Sequence, residues 1–117
     1  MSQSARPEYD KTTYAIIGAA MEVHNELGPG FPEAIYRDAM VIALAEKGIS
    51  AHKEVAFDVE YHGQRAGQFR LDMLAEEKVV VEFKAVSELT SQHEAQAIAY
   101  LTATGREVAL LINFSAE

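Results

Sequence analysis

FRLDMLAEEKVVVEFK, residues 69–84, is the stretch on which the reading of the fold turns. Phe69, Leu71 and Met73 alternate with Arg70 and Asp72, the period of a half-buried strand. Glu76-Glu77-Lys78 breaks the pattern as a turn, and residues 79–84 resume it as another strand. There Val79, Val81 and Phe83 share one face, while Glu82 and Lys84 share the other with Cα atoms roughly 6.6 Å apart. If both apolar sets enter one core, Asp72 must lie on the Val80/Glu82/Lys84 side, and one such register sets it directly opposite Glu82. A two-residue turn at Glu76-Glu77 would be a step out and would flip one face. A three- or five-residue loop, or a bulge, is therefore expected.

Upstream, Val55, Phe57, Val59 and Tyr61 alternate as an earlier strand, closed by a turn at His62-Gly63-Gln64. Two stripes at helical spacing, Tyr14/Ile17/Met21/His24 and Ile16/Ala20/Val23/Leu27, predict a helix over residues 11–27 that Gly28-Pro29-Gly30 must stop. Pro32 suits the first turn of a second helix, Glu33 complements its positive end, and Gly48 closes it. Its apolar face is expected to hold Ala34, Ile35, Ala39, Ile42 and Ala43. Downstream, Thr90 or Ser91 caps a third helix, with Ser91 to Glu94 fitting a capping box, and Gly105 ends it. Residues 108–114 are nearly all apolar, which predicts a strand buried on both faces. The order α-α-β-β-β-α-β describes an α/β (α+β) chain with a mixed sheet flanked by helices.

The 117 residues suit one domain spanning 1–117, with residues 1–10 expected to be a flexible lead-in. The absence of cysteine excludes disulfides and thiolate metal sites. No apolar run approaches a membrane span and the polar start is unlike a signal peptide, so no membrane and a cytoplasmic location are expected. The net charge of −8, with Lys and Arg scattered singly, offers no basic stripe for phosphates.

Two facing carboxylates repel, and a divalent cation cancels that repulsion; Mg²⁺ commonly takes one or two protein carboxylates plus waters and phosphates. Lys84 beside such an ion suits phosphodiester hydrolysis. Taken alone, Asp72, Glu82 and Lys84 read more readily as the solvated face of an amphipathic sheet, with Lys84 pairing Glu82.

Asp72, followed after nine residues by Glu82-Phe83-Lys84, with Glu33 on an earlier helix, resembles the core of the PD-(D/E)XK nuclease superfamily. Within it, Gly30-Phe31-Pro32-Glu33-Ala34-Ile35-Tyr36 is similar to the signature of the GxxExxY protein family, supported by residues 23–30, Leu89-Thr90 with residues 93–96, and residues 110–114. The resemblance implies a restriction-endonuclease-like αβββαβ core, a four-stranded sheet with an extra N-terminal helix. It implies a Mg²⁺- or Mn²⁺-dependent nuclease acting on DNA, with Asp72, Glu82 and Glu33 at the metal and Lys84 in catalysis. Gln96 and Tyr100 resemble a Gln-x-x-x-Tyr element of RecB-type members, in which the glutamine joins the catalytic set and the tyrosine contacts nucleic acid. Tyr36 and Arg70 are further candidate substrate contacts. For Glu33 a helix-dipole role, for Tyr36 packing, for Arg70 a salt bridge, and for Gln96 and Tyr100 a helix–sheet interface are the alternatives. A catalytically silent module that binds nucleic acid or a protein is the competing function. A homodimer is also expected, because one 12.9 kDa domain presents little surface for gripping a duplex.

Overall fold

The computed structural model describes residues 7–114. Its elements are α1 (Pro7–Leu27), α2 (Glu33–Glu46), β1 (Ala51–Tyr61), β2 (Gln64–Ala75), β3 (Val79–Lys84), α3 (Ser91–Thr104) and β4 (Val108–Asn113). The four strands form one sheet in the order β1-β2-β3-β4, antiparallel except for the parallel pair β3–β4. Of the lead-in expected at residues 1–10, residues 1–6 lie outside the described residues, and from Pro7 the chain is already helical.

The β2–β3 connection has the three residues that the register argument requires. Lys78 N–H donates to the Ala75 carbonyl, Glu76 and Glu77 adopt φ of 54° and 59°, and Met73 pairs with Val81. At the β1–β2 tip, His62 and Gly63 both have positive φ, as a two-residue turn matching the strand twist demands.

Helices α1 and α2 cover one face of the sheet, where Ile16, Val23, Tyr36, Met40, Met73, Val81 and Phe83 form the main core. A second cluster of Leu71, Leu74 and Val80 packs with Tyr100 and Leu101 of α3 on the other face. The expectation that Leu71 and Met73 share a core is thus corrected. The β1–β2 ladder skips Glu54 and Asp72, and Glu54 adopts φ 54°, which interrupts the pleat. Beyond that break Val55, Phe57, Phe69 and Leu71 turn toward α3.

Two other faces differ from expectation. Helix α2 buries Tyr36, Met40, Ala43 and Leu44, while Ile35 and Ile42 are exposed. Its other stripe, at i, i+4, i+7 and i+8, is equally apolar, and docking chose it. Strand β4 is half-buried along its whole length, because it is the edge of the sheet and not its middle.

Helix α3 begins with a capping box one residue earlier than Ser91. Thr90 Oγ1 accepts from His93 N–H at 3.4 Å, and His93 Nδ1 accepts from Thr90 N–H at 3.0 Å, so a histidine ring fills the place usually taken by Glu or Gln.

Candidate active site

Asp72 stands where two ladders fail at once. Its place in the β1–β2 ladder is skipped, and the β2–β3 ladder ends at the neighbouring pair Met73–Val81. Side chains take over from the missing backbone bonds. Asp72 N–H donates to Glu82 Oε2 at 2.9 Å, and Phe83 N–H donates to Asp72 Oδ2 at 2.8 Å. Each carboxylate is therefore held by the backbone of the opposite strand, and the two are fixed beside each other.

Glu82 is only 3 % exposed, and its carboxyl is pushed up to about 7. Burial is the main cause; the nearby Asp72 charge adds to it, while the bond from Asp72 N–H and the Lys84 charge oppose it. Tyr100 is also pushed up, first by burial and then by the charges of Glu82 and Asp72, which places its phenol in their field. The Tyr100 ring stacks on Phe69 with centroids 4.5 Å apart. Lys84, two residues beyond Glu82, donates from Nζ to Gln96 Oε1 at 3.2 Å, so the expected lysine and glutamine meet across the β3–α3 gap.

Asp72, Glu82, Lys84, Gln96 and Tyr100 are thus brought to one side of the sheet. Three other candidates are not. Tyr36 is fully buried: its hydroxyl donates to the Gly28 carbonyl at 2.6 Å and accepts from Phe31 N–H at 3.2 Å, and its ring stacks on Phe114 at 4.6 Å. It presents no surface to a substrate; the packing alternative is the one observed, because the Gly-Pro-Gly turn needs a partner for its backbone. Gly30 there adopts φ 108°, a conformation that a side chain would strain. Arg70 lies between Phe69 and Leu71, which both face α3, so strand alternation sends it to the opposite, exposed face. Glu33 is the exposed first residue of α2. Among the described residues no group of three or more His, Asp and Glu is placed to hold a metal ion, which leaves Asp72 and Glu82 as a two-carboxylate pair with Glu33 outside it.

Reading by strand alternation passed over Asn113. Its Oδ1 accepts from Val86 N–H at 3.0 Å and its Nδ2 donates to the Val86 carbonyl at 2.9 Å, while Phe114 N–H donates to the Lys84 carbonyl at 2.7 Å. The end of β4 therefore pins the chain as it leaves Lys84. The signal was a lone amide ending a run of apolar residues, since a polar group placed there must find partners.

The model of one protein family, described as the PD-(D/E)XK nuclease superfamily, matches residues 10–117. No curated protein matches the chain, and no solved structure does.

Proposed function

The chain belongs to the PD-(D/E)XK nuclease superfamily, and from that premise we propose that it is a divalent-metal-dependent nuclease that hydrolyses phosphodiester bonds in DNA. The observation that carries this reading is the mutual clamping of Asp72 and Glu82 beside the Lys84–Gln96 pair. The backbone clamp uses one oxygen of each carboxylate, and the two side chains also interact directly, so in this reading a cation takes the place of the proton between them. Two such carboxylates fit a partly hydrated Mg²⁺ or Mn²⁺, which needs only one or two from the protein. Such an ion supplies Lewis-acid activation of water and neutralises phosphate charge.

The residues themselves have separate tasks in this reading. Lys84 offsets the negative charge that builds on the phosphate oxygens, and Gln96 Oε1 aims its ammonium. The Gln96 amide N–H groups and the Tyr100 hydroxyl are donors to the same phosphate. Glu33 acts from outside the pair, through water. Its support is the tie between α2 and β3: Tyr36, three residues on, stacks on Phe114, whose N–H holds the Lys84 carbonyl. The run Gly30 to Tyr36 supports placement in the GxxExxY family.

The alternative reading, a silent nuclease-fold module, draws on charge. Arg37, Lys47, Lys53, Arg65 and Arg106, at least half of the ten Lys and Arg, are within ion-pairing distance of acids.

A cleavage screen over single-stranded, duplex and branched DNA and RNA with Mg²⁺ or Mn²⁺ separates the two. We expect metal-dependent cutting in the wild type and a fall in kcat of about 10²-fold or more for Lys84→Ala, by analogy with loss of one charge-stabilising donor. Divalent-ion binding measured by calorimetry should survive Lys84→Ala. No cutting of any substrate together with no ion binding sinks the enzyme reading and leaves the silent module.

A further inference from the structure

Helix α1 runs alongside the edge strand β4 from end to end. Tyr9 Oη donates to Glu107 Oε1 at 3.1 Å at one end, and the His24 ring lies on Phe114, centroids 6.2 Å apart, at the other. Between them lies a groove of about 460 Å³ with Ile17, Ala20 and Met21 on its helical wall and residues 111–114 on the other side. Consecutive residues of a strand point to alternate faces, so residues 111 to 114 can all line one groove only if it follows the strand's edge. Its floor is therefore backbone. Phe114 N–H points to β3, and alternation then turns the N–H and C=O groups of Ala109, Leu111 and Asn113 outward.

Among the described residues no strand pairs with this edge. Residues 108–113 contain no Lys, Pro, Gly or acid, and the strand pairs regularly with β3 throughout. Beside it stands a stripe of large apolar side chains, Tyr14, Ile17 and Met21, which are 72 %, 49 % and 63 % exposed. One of the two helical stripes of α1 enters the core through Ile16, Ala20 and Val23; this is the other.

We propose that this surface binds a second copy of the chain, β4 pairing antiparallel with β4 about a two-fold axis and the two α1 stripes packing across it. Two observations select a copy over another strand donor. A single extended peptide would satisfy the edge but leave Tyr14, which lies outside the groove, uncovered. A second α1 covers it. The chain carries −8 overall, so most of its surface repels a copy, yet no Asp or Glu lines this groove. A two-fold contact also brings the same uncharged patch from both sides, as an isologous interface requires. The inference is independent of the nuclease reading, since α1 and the outer edge of β4 contribute none of the residues assigned to the reaction.

Sedimentation velocity across the micromolar range tests it, with hydrogen exchange on the same samples. The expected particle has twice the 12.9 kDa protomer mass. Met21→Glu should give a monomer that keeps its circular-dichroism spectrum and whose melting temperature no longer rises with protein concentration, while Ile42→Glu, on the exposed face of α2, should stay dimeric. Exchange at Ala109, Leu111 and Asn113 should be about tenfold or more slower in the dimer than in Met21→Glu. A monomer at every concentration overturns the proposal, as does a dimer that Met21→Glu leaves intact. A monomer that captures an extended apolar peptide on β4 also overturns it, in favour of that peptide.

Discussion

Glu82 carries two opposed demands under the proposed function: it is buried, which favours its neutral form, and it would have to be ionised to accept a cation. With its carboxyl pushed up to about 7, the metal-free fold is most stable where Glu82 is protonated. The sign follows from linkage: the folded value lies above the ordinary 4.5, so this contribution is complete below 4.5 and lost as pH rises to about 7. At its full extent the effect is on the order of 3 kcal/mol, using the free-energy equivalent of one pH unit. Glu82→Gln keeps an oxygen for Asp72 N–H and should flatten that slope, making the metal-free variant more stable than wild type at pH 8 by denaturant titration. Metal affinity in the wild type should rise with pH up to about 7 and then level off, because binding displaces the proton. A wild-type stability curve flat between pH 4.5 and 7 would contradict this account. Tyr36 makes the opposite case, a polar group whose burial is fully satisfied. Tyr36→Phe orphans the Gly28 carbonyl and Phe31 N–H and should cost about 1–3 kcal/mol by thermal unfolding.

The β2–β3 hairpin shows how an element sets what its residues can do. A three-residue loop puts Met73 opposite Val81, and the next step of the same register brings Asp72 to Glu82. Deleting Lys78 leaves two residues between the strands and shifts the pairing by one, so that either Val79/Val81/Phe83 or Met73/Ala75 leaves the core. That variant should fail to fold or lose metal binding altogether, as read by circular dichroism and calorimetry; retention of both would show that loop length does not set the register. This loop was legible beforehand because alternation with a period of two permits only certain lengths. The split of Leu71 from Met73 was not, since it depends on the break at Glu54 and Asp72, and no pattern of side chains announces a backbone that leaves its ladder. The stripe chosen by α2 was hidden for a related reason: Ile35/Ile42 and Tyr36/Met40 are equally apolar, and only the shape of the sheet beneath distinguishes them.

At the scale of the whole molecule, charge governs how the proposed site would meet a polyanion. With −8 overall and at least half of the Lys and Arg near acids, few phosphates can be neutralised by the protein itself. The logarithm of DNA affinity against that of salt, measured with Ca²⁺ in place of Mg²⁺, should fall with a slope no steeper than about −3, where a basic-faced binder gives −6 or beyond. A steeper slope would reveal a phosphate-binding surface that this charge distribution lacks. Sequence alone determined the element order, the odd-length loop, and the set of acids and lysine that family resemblance marks, because local periodicity, turn chemistry and spacing are properties of the chain. Tertiary structure decided the rest. It clamped Asp72 and Glu82 with each other's strands, brought Gln96 and Tyr100 to them, sank Tyr36 beneath the Gly-Pro-Gly turn and left Glu33 outside the pair. Those outcomes depend on which face of each element is covered, and a face is covered only when another part of the chain arrives to cover it.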